Sequence, residues 1–216
     1  MIRELGFIDI LYLIAAMRWT LALTAIAFLG GGMVGLVIAL LRVSPALPLR
    51  WLGGLYVHVV QGTPLLAWLF VFFFGLSIVG VEVSPWIAAA AAYSIYAGAF
   101  LGEIWRGCLQ AIPKTQWEAG ASLGLSLTEQ MRYIIVPQAL RLAIPPTVGF
   151  LVQLIKNTSL AAVIGFIELT REGQLTTAVT FRPFTVYLIV AALYFALCFP
   201  LTQWSRRLER RLHVAR

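Results

Sequence analysis

Lys156 is the side chain in this sequence that most needs a chemical reason. It stands in Leu154-Ile155-Lys156-Asn157-Thr158-Ser159, near the middle of an apolar stretch from about Pro146 to Phe166. If that stretch crosses a bilayer, the nearest edge of the hydrocarbon is about 15 Å away, beyond the reach of a lysine stem. An unpaired ammonium there costs about 2.5 to 3.5 kcal/mol. The residue is therefore expected to face a cavity or a carboxylate, which can belong to a solute or to a protein acid such as Glu103 or Glu168. A pair or carbonyl contact that merely fixes helices would meet the same cost. Asn157, Thr158 and Ser159 add short hydrogen-bonding groups beside it, a composition that favours local unwinding able to hold a polar solute at the midplane.

Catalytic chemistry finds no such support. His58 stands alone in an apolar run and His213 lies in a basic tail, neither with a Ser or Cys partner in sequence reach. Cys108 and Cys198 lie at or within apolar stretches without CxxC or CxH spacing, so neither a disulfide framework nor a metal site is indicated. The only lysines are Lys114 and Lys156. Neither closes a G-x-x-x-x-G-K-[ST] loop able to wrap phosphates in backbone N–H groups, so the chain has no means of its own to hydrolyse ATP.

The elements that carry these residues follow from composition. Of 216 residues, 61% are hydrophobic and 12% charged, and mean hydropathy is +0.89. Those values exclude disorder and an ordinary soluble domain. Five apolar stretches emerge, at about 20–41, 65–81, 86–104, 146–166 and 185–204. Backbone polar groups in hydrocarbon must be satisfied within each segment, so the expected fold class is an all-α polytopic membrane protein with five transmembrane helices. Residues 1–19 read as an external or interfacial segment, or as an extension of the first span. The membrane domain is expected over 20–205, with a basic cytoplasmic tail at 206–216. The first stretch is too long for a removable signal peptide and is read as retained.

Orientation follows from the basic residues. Arg42, Arg50, Arg106, Lys114, Arg132, Arg141, Arg206, Arg207, Arg210, Arg211 and Arg216 fall on one side, and Arg3, Arg18, Arg171 and Arg182 on the other. Eleven against four puts the C-terminus in the cytoplasm and the N-terminus outside. The formal charge of +7 is then a property of flanks facing anionic membrane lipid, and a nucleic-acid site is not expected.

The connection over 106–145 is long and comparatively polar, and is expected to hold helices on the cytoplasmic face. Pro113 suits an early helical position, with Trp117, Ala121 and Gly124 expected on one face. Ser126 and Glu129 have capping-box spacing for a second helix, which Pro137 would break or kink. A plain interfacial loop is the alternative reading.

This loop resembles the permease signature of ABC importers: E-A-A, three residues, G, nine residues, then I-x-L-P. Glu118, Ala119 and Gly120 are followed by Gly124 and then by Ile134, Ile135, Val136 and Pro137 at the matching spacing. Gly120 replaces the usual Ala and Val136 the usual Leu. The likeness extends to the polar amino acid permeases through QGTPLLAWLF at 61–70, YAGAFLGEIWRGCLQAIPKTQWEAGASLGLS at 96–126, PQALRLAIPP at 137–146 and LIKNTSLAAVIGFIELTREGQ at 154–174.

The resemblance implies a type I importer permease of the bacterial inner membrane that passes a polar amino acid. Its implied partners are a second permease subunit, self or paralogue, two ABC ATP-binding subunits that bind ATP and Mg, and an extracytoplasmic solute-binding protein. It further implies that Trp117, Glu118, Ala119, Gly120 and Gly124 form an ATPase-coupling helix. Lys156, Asn157, Thr158, Ser159 and Glu103 are the expected substrate path. Many relatives carry Asn where this chain has Gly149, and Gln153, one turn on, can substitute or simply pack. Gln61 stands where the family often has Arg, and Gly62 with Pro64 reads as a helix start. The same machinery serving another small organic solute, or a non-transporting membrane scaffold for an ATPase, are the rival readings.

Overall fold

The computed structural model describes residues 4–213. Arg3 and residues 214–216 of the basic tail, which entered the charge comparison and the tail reading, lie outside the described residues. The described elements are all helical: α1 Phe7–Val43, α2 Leu47–Gly62, α3 Leu65–Ile78, α4 Pro85–Gln110, α5 Lys114–Ser122, α6 Leu127–Ile164, α7 Leu169–Thr180 and α8 Pro183–His213. Four are long and apolar enough to cross a membrane, and the bent pair α2 and α3 makes a fifth crossing if it counts as one span.

The helix α1 begins well before Thr20, because the Asp9 carboxylate accepts the Gly6 N–H at 2.9 Å and starts the first turn there. Its 37 residues span about 55 Å, more than the hydrocarbon thickness. Residues 7–19 are thus helical and continuous with the first span.

The second crossing differs most from expectation. A straight span over 65–81 is replaced by α2 and α3, bent by 96°. Pro64 lacks an N–H and forces the preceding Thr63 into extended backbone, at φ −109° and ψ 131°. The chain stops one helix and starts another: Pro64 marks the start of α3, whereas Gly62, expected with it, closes α2. Gln61, at the end of α2, donates to the Ala99 carbonyl at 3.3 Å.

Pro137 has the opposite outcome. The helix α6 does not break there, since a π turn over Met131–Ile135 precedes the proline and absorbs its missing hydrogen bond. The helix then runs through Pro145 and Pro146 to Asn157, where it tightens into a 3-10 segment over Thr158–Ile164.

The central packing joins α1 to α4. Lipid tails are as apolar as leucine, so helices in a bilayer associate by close van der Waals contact rather than by a hydrophobic driving force. Gly31 and Gly35 on α1 face Ala97, Gly98, Leu101 and Gly102 on α4. A Cβ at Gly35 would lie 3.0 Å from the Gly102 nitrogen, and one at Gly102 2.9 Å from Ile38 Cγ2. Around this seam, Leu23, Ala27, Leu69, Ala92, Tyr93 and Leu154 form the core. The helix α6 packs on α4, α8 on α6, and α7 lies against both α1 and α8.

Candidate functional site

The expected helices of the connection over 106–145 form a compact knob, built as a locked helical turn. Gly124, at φ +72°, ends α5 with the Leu125 N–H on the Gly120 carbonyl (3.2 Å) and the Gly124 N–H on the Ala121 carbonyl (2.9 Å). This paired closure needs a left-handed residue, which glycine supplies without a Cβ penalty. Ser126 then starts α6 by a reciprocal box: its hydroxyl accepts the Glu129 N–H at 3.4 Å, and the Glu129 carboxylate accepts the Ser126 N–H at 2.8 Å. The Gln130 side-chain amide donates back to the Leu125 carbonyl at 2.8 Å, tying the two helices together.

The buried face of α5 is not the expected one. Trp117 and Gly120 turn inward, while Ala121 and Gly124 are exposed. Trp117 packs with Ile112, Met131, Ile135 and Ala139. A Cβ at Gly120 would lie 2.9 Å from Gln130 Cγ and 3.1 Å from Ile134 Cδ1, so glycine there suits the bulk of Gln130. Glu118 and Ala119 face outward. Among the described residues the Glu118 carboxylate makes no hydrogen bond, and Leu123 beside them is 77% exposed.

The midplane residues divide into two groups. Gly149, Gln153 and Lys156 are exposed at i, i+4, i+7 spacing, one stripe of α6. Open space surrounds Gly149. Gln153 donates to Asn157 Oδ1 at 3.0 Å, and Asn157 presents its carbonyl to the Tyr93 hydroxyl at 2.6 Å. Thr158 and Ser159 instead bond their own helix, to the carbonyls of Ile155 (2.7 Å) and Lys156 (2.8 Å). Thr158 is fully buried, so its hydroxyl serves the 3-10 turn. The expected unwinding is therefore a tightening, closed by Gly165 at φ +82°.

Neither acid named as a partner for Lys156 pairs with it. Glu103 sits between Arg106 and Arg42, its carboxylate bonded by Arg106 and 3.5 Å from Arg42 Nε. It therefore belongs to a charge cluster linking α1 and α4 rather than to the stripe on α6. Glu168 is fully buried. Its carboxylate caps α7 by accepting the Arg171 N–H at 2.9 Å, and accepts the Tyr194 hydroxyl at 2.7 Å. Sequence reasoning missed this network; the usable signal was an acidic residue directly before Leu169, at a cap position for α7.

The chain matches the family model described as binding-protein-dependent transport system inner membrane component over residues 10–214. The chain belongs to this family. Among relatives of this inner membrane component, the L-cystine transport system permease protein TcyB of Bacillus subtilis (strain 168) is 37% identical over 195 residues, covering 90% of this chain and 83% of the relative. The glutamine transport system permease protein GlnP of Escherichia coli (strain K12) is 35% identical over 204 residues, covering 94% and 93%. A solved structure described as an amino acid ABC transporter with histidines superposes with a TM-score of 0.89 at 33% identity, covering 97% of this chain and all of that one. The component is accordingly a multi-pass ABC permease subunit of the inner membrane, and such subunits are not themselves enzymes. The expected resemblance and the all-helical fold class both hold.

Proposed function

We propose that this permease moves a polar amino acid inward by alternating access, driven by two partner subunits that bind ATP and Mg. The carrying observation is the continuity of α6. One element begins at the knob with Ser126 and Gln130 and carries Gly149, Gln153 and Lys156 on an exposed stripe farther along. A tilt imposed at α5 is thereby transmitted to the stripe by a continuous helix rather than by a loop. The exposed face of Glu118, Ala119 and Leu123 is the surface offered to the ATPase.

An ammonium left uncovered on a membrane-spanning helix needs water, a carboxylate or another subunit against it. A second permease copy or paralogue, facing the stripe across a polar path, supplies this environment, and a zwitterionic solute carries the complementary carboxylate. The relatives named for glutamine and cystine support an amino acid as cargo. The basic bias supports a cytoplasmic knob and C-terminus and an external N-terminus, with a solute-binding protein delivering the cargo on the outer side. Reconstitution with the ATP-binding subunits and binding protein tests the reading. ATP hydrolysis should rise with one polar amino acid; stimulation by sugars alone, or by no solute, overturns it.

A further inference from the structure

At the knob end of the bundle, the close of α1, the start of α2 and the last turns of α4 enclose a cavity of about 530 Å³. Arg42, Arg50, Arg106 and His58 line it, with no acid among the described lining residues. Glu103, bonded by Arg106 and beside Arg42, offsets only one of the three guanidinium charges. The Nε of Arg42 is buried 3.5 Å from Glu103 Oε2. Its Nη1 lies over Gly54, where a Cβ would come within 2.8 Å, so the glycine makes room for the cation. His58 donates from Nδ1 to the Gly54 carbonyl at 2.7 Å, fixing the ring beside the opening.

Apolar side chains share the lining: Leu47, Trp51 and Leu55 border the cavity. Trp51, Leu55 and Val59 on α2 are 72%, 61% and 47% exposed, and their i, i+4, i+8 spacing makes one apolar stripe leading away from it. A neighbouring groove shares Arg42, Arg50 and Gln110 and adds Lys114 and Trp117, placing the cavity beside the coupling helix. A free phosphate would need only the basic floor. Cations at the end of an apolar stripe in a membrane protein fit a ligand with both an anionic head and an acyl chain.

We propose that this cavity binds an anionic glycerophospholipid, its phosphate among Arg42, Arg50 and His58 and one acyl chain along Trp51, Leu55 and Val59. Such a lipid sits against the coupling groove and adds a contact between α1, α2 and α4. The site goes beyond the transport reading and does not depend on the solute carried.

The test is lipid retention by the assembled complex, reconstituted in phosphatidylcholine mixed with phosphatidylglycerol, extracted, and weighed by native mass spectrometry. Arg50 is exposed and outside the Glu103 cluster, so Arg50→Gln leaves the fold intact. It should cut retained phosphatidylglycerol about five-fold, the effect of one basic residue near a membrane surface. Leu55→Gln should lower it as well, while Arg210→Gln on α8 should not. Equal retention in Arg50→Gln and wild type, an equal loss in Arg210→Gln, or no effect of Leu55→Gln overturns the site. Displacement of the lipid by inorganic phosphate would make phosphate itself the ligand and also overturns it. Retention is read by mass without transport, so its failure leaves the transport reading standing.

Discussion

Lys156 stands on the uncovered stripe of α6 while the polar groups around it are differently committed. Thr158 and Ser159 spend their hydroxyls on the helix, whereas Gln153 and Asn157 form a side-chain pair next to the ammonium. Of the run 156–159, Lys156 and the half-buried Asn157 are therefore the groups best placed to meet a solute. A charge-assisted hydrogen bond contributes about 1.5 to 3 kcal/mol, so Lys156→Gln should lower amino acid uptake about ten-fold or more. The complex should still co-purify at wild-type stoichiometry, since the side chain is exposed. Wild-type uptake by an intact complex would remove Lys156 from the path.

On the scale of the element, the knob owes its rigidity to two adjacent closures, the stop of α5 at Gly124 and the cap of α6 at Ser126. A helix of nine residues is marginal by itself, so its caps and its contacts with α6 decide whether it acts as a lever. Placing a Cβ at the left-handed Gly124 costs about 1 to 2 kcal/mol, and removing the Ser126 cap costs about 1 kcal/mol. Gly124→Ala and Ser126→Ala should each speed amide exchange over residues 114–123. Each should also reduce solute-stimulated ATP hydrolysis more than basal hydrolysis. Because the two caps are neighbours, the double variant should depart from additivity. Unchanged exchange and stimulation in both single variants would show that the ATPase surface, rather than the caps, orders the helix.

For the molecule as a whole, Glu168 connects distant parts of the chain. Its carboxylate holds Tyr194 on α8 and the first turn of α7, and the adjacent Leu169 N–H donates to Thr20 Oγ1 on α1 at 3.2 Å. Burial pushes the Glu168 carboxyl above its ordinary value, against the lowering effect of hydrogen bonds from Thr170, Tyr194 and Arg171. A carboxyl raised in the folded state contributes stability that is fully present below the ordinary carboxylate range and is lost as pH rises through the raised value. The purified permease should therefore melt at lower temperature as pH rises from the acid side through that window. Glu168→Gln retains an acceptor for the cap but cannot ionise, so its melting temperature should be flatter over the same range. Parallel pH profiles for the two proteins would show that Glu168 does not titrate in the window.

The helical class, the caps at Ser126 and Gly124 and the helix start at Pro64 were legible in the sequence. Each depends on hydrophobic run length, or on groups within a few residues of one another, where the backbone has few alternatives. Even so, local rules left choices open: Pro64 bends its span by 96°, whereas Pro137 is absorbed by a π turn. Side-chain partnership was decided only by the tertiary structure. Glu103 meets Arg42 from a different helix, Glu168 meets Tyr194 rather than Lys156, and Trp117 turns toward Ile135 and Ala139. Gly31 and Gly35 with Gly98 and Gly102 show the same division. The small-residue spacing is present in the sequence, yet it becomes the main seam only because α1 and α4 meet there. A helix presents all its faces equally in sequence, and the close packing of distant segments determines which face is buried and which polar groups find each other.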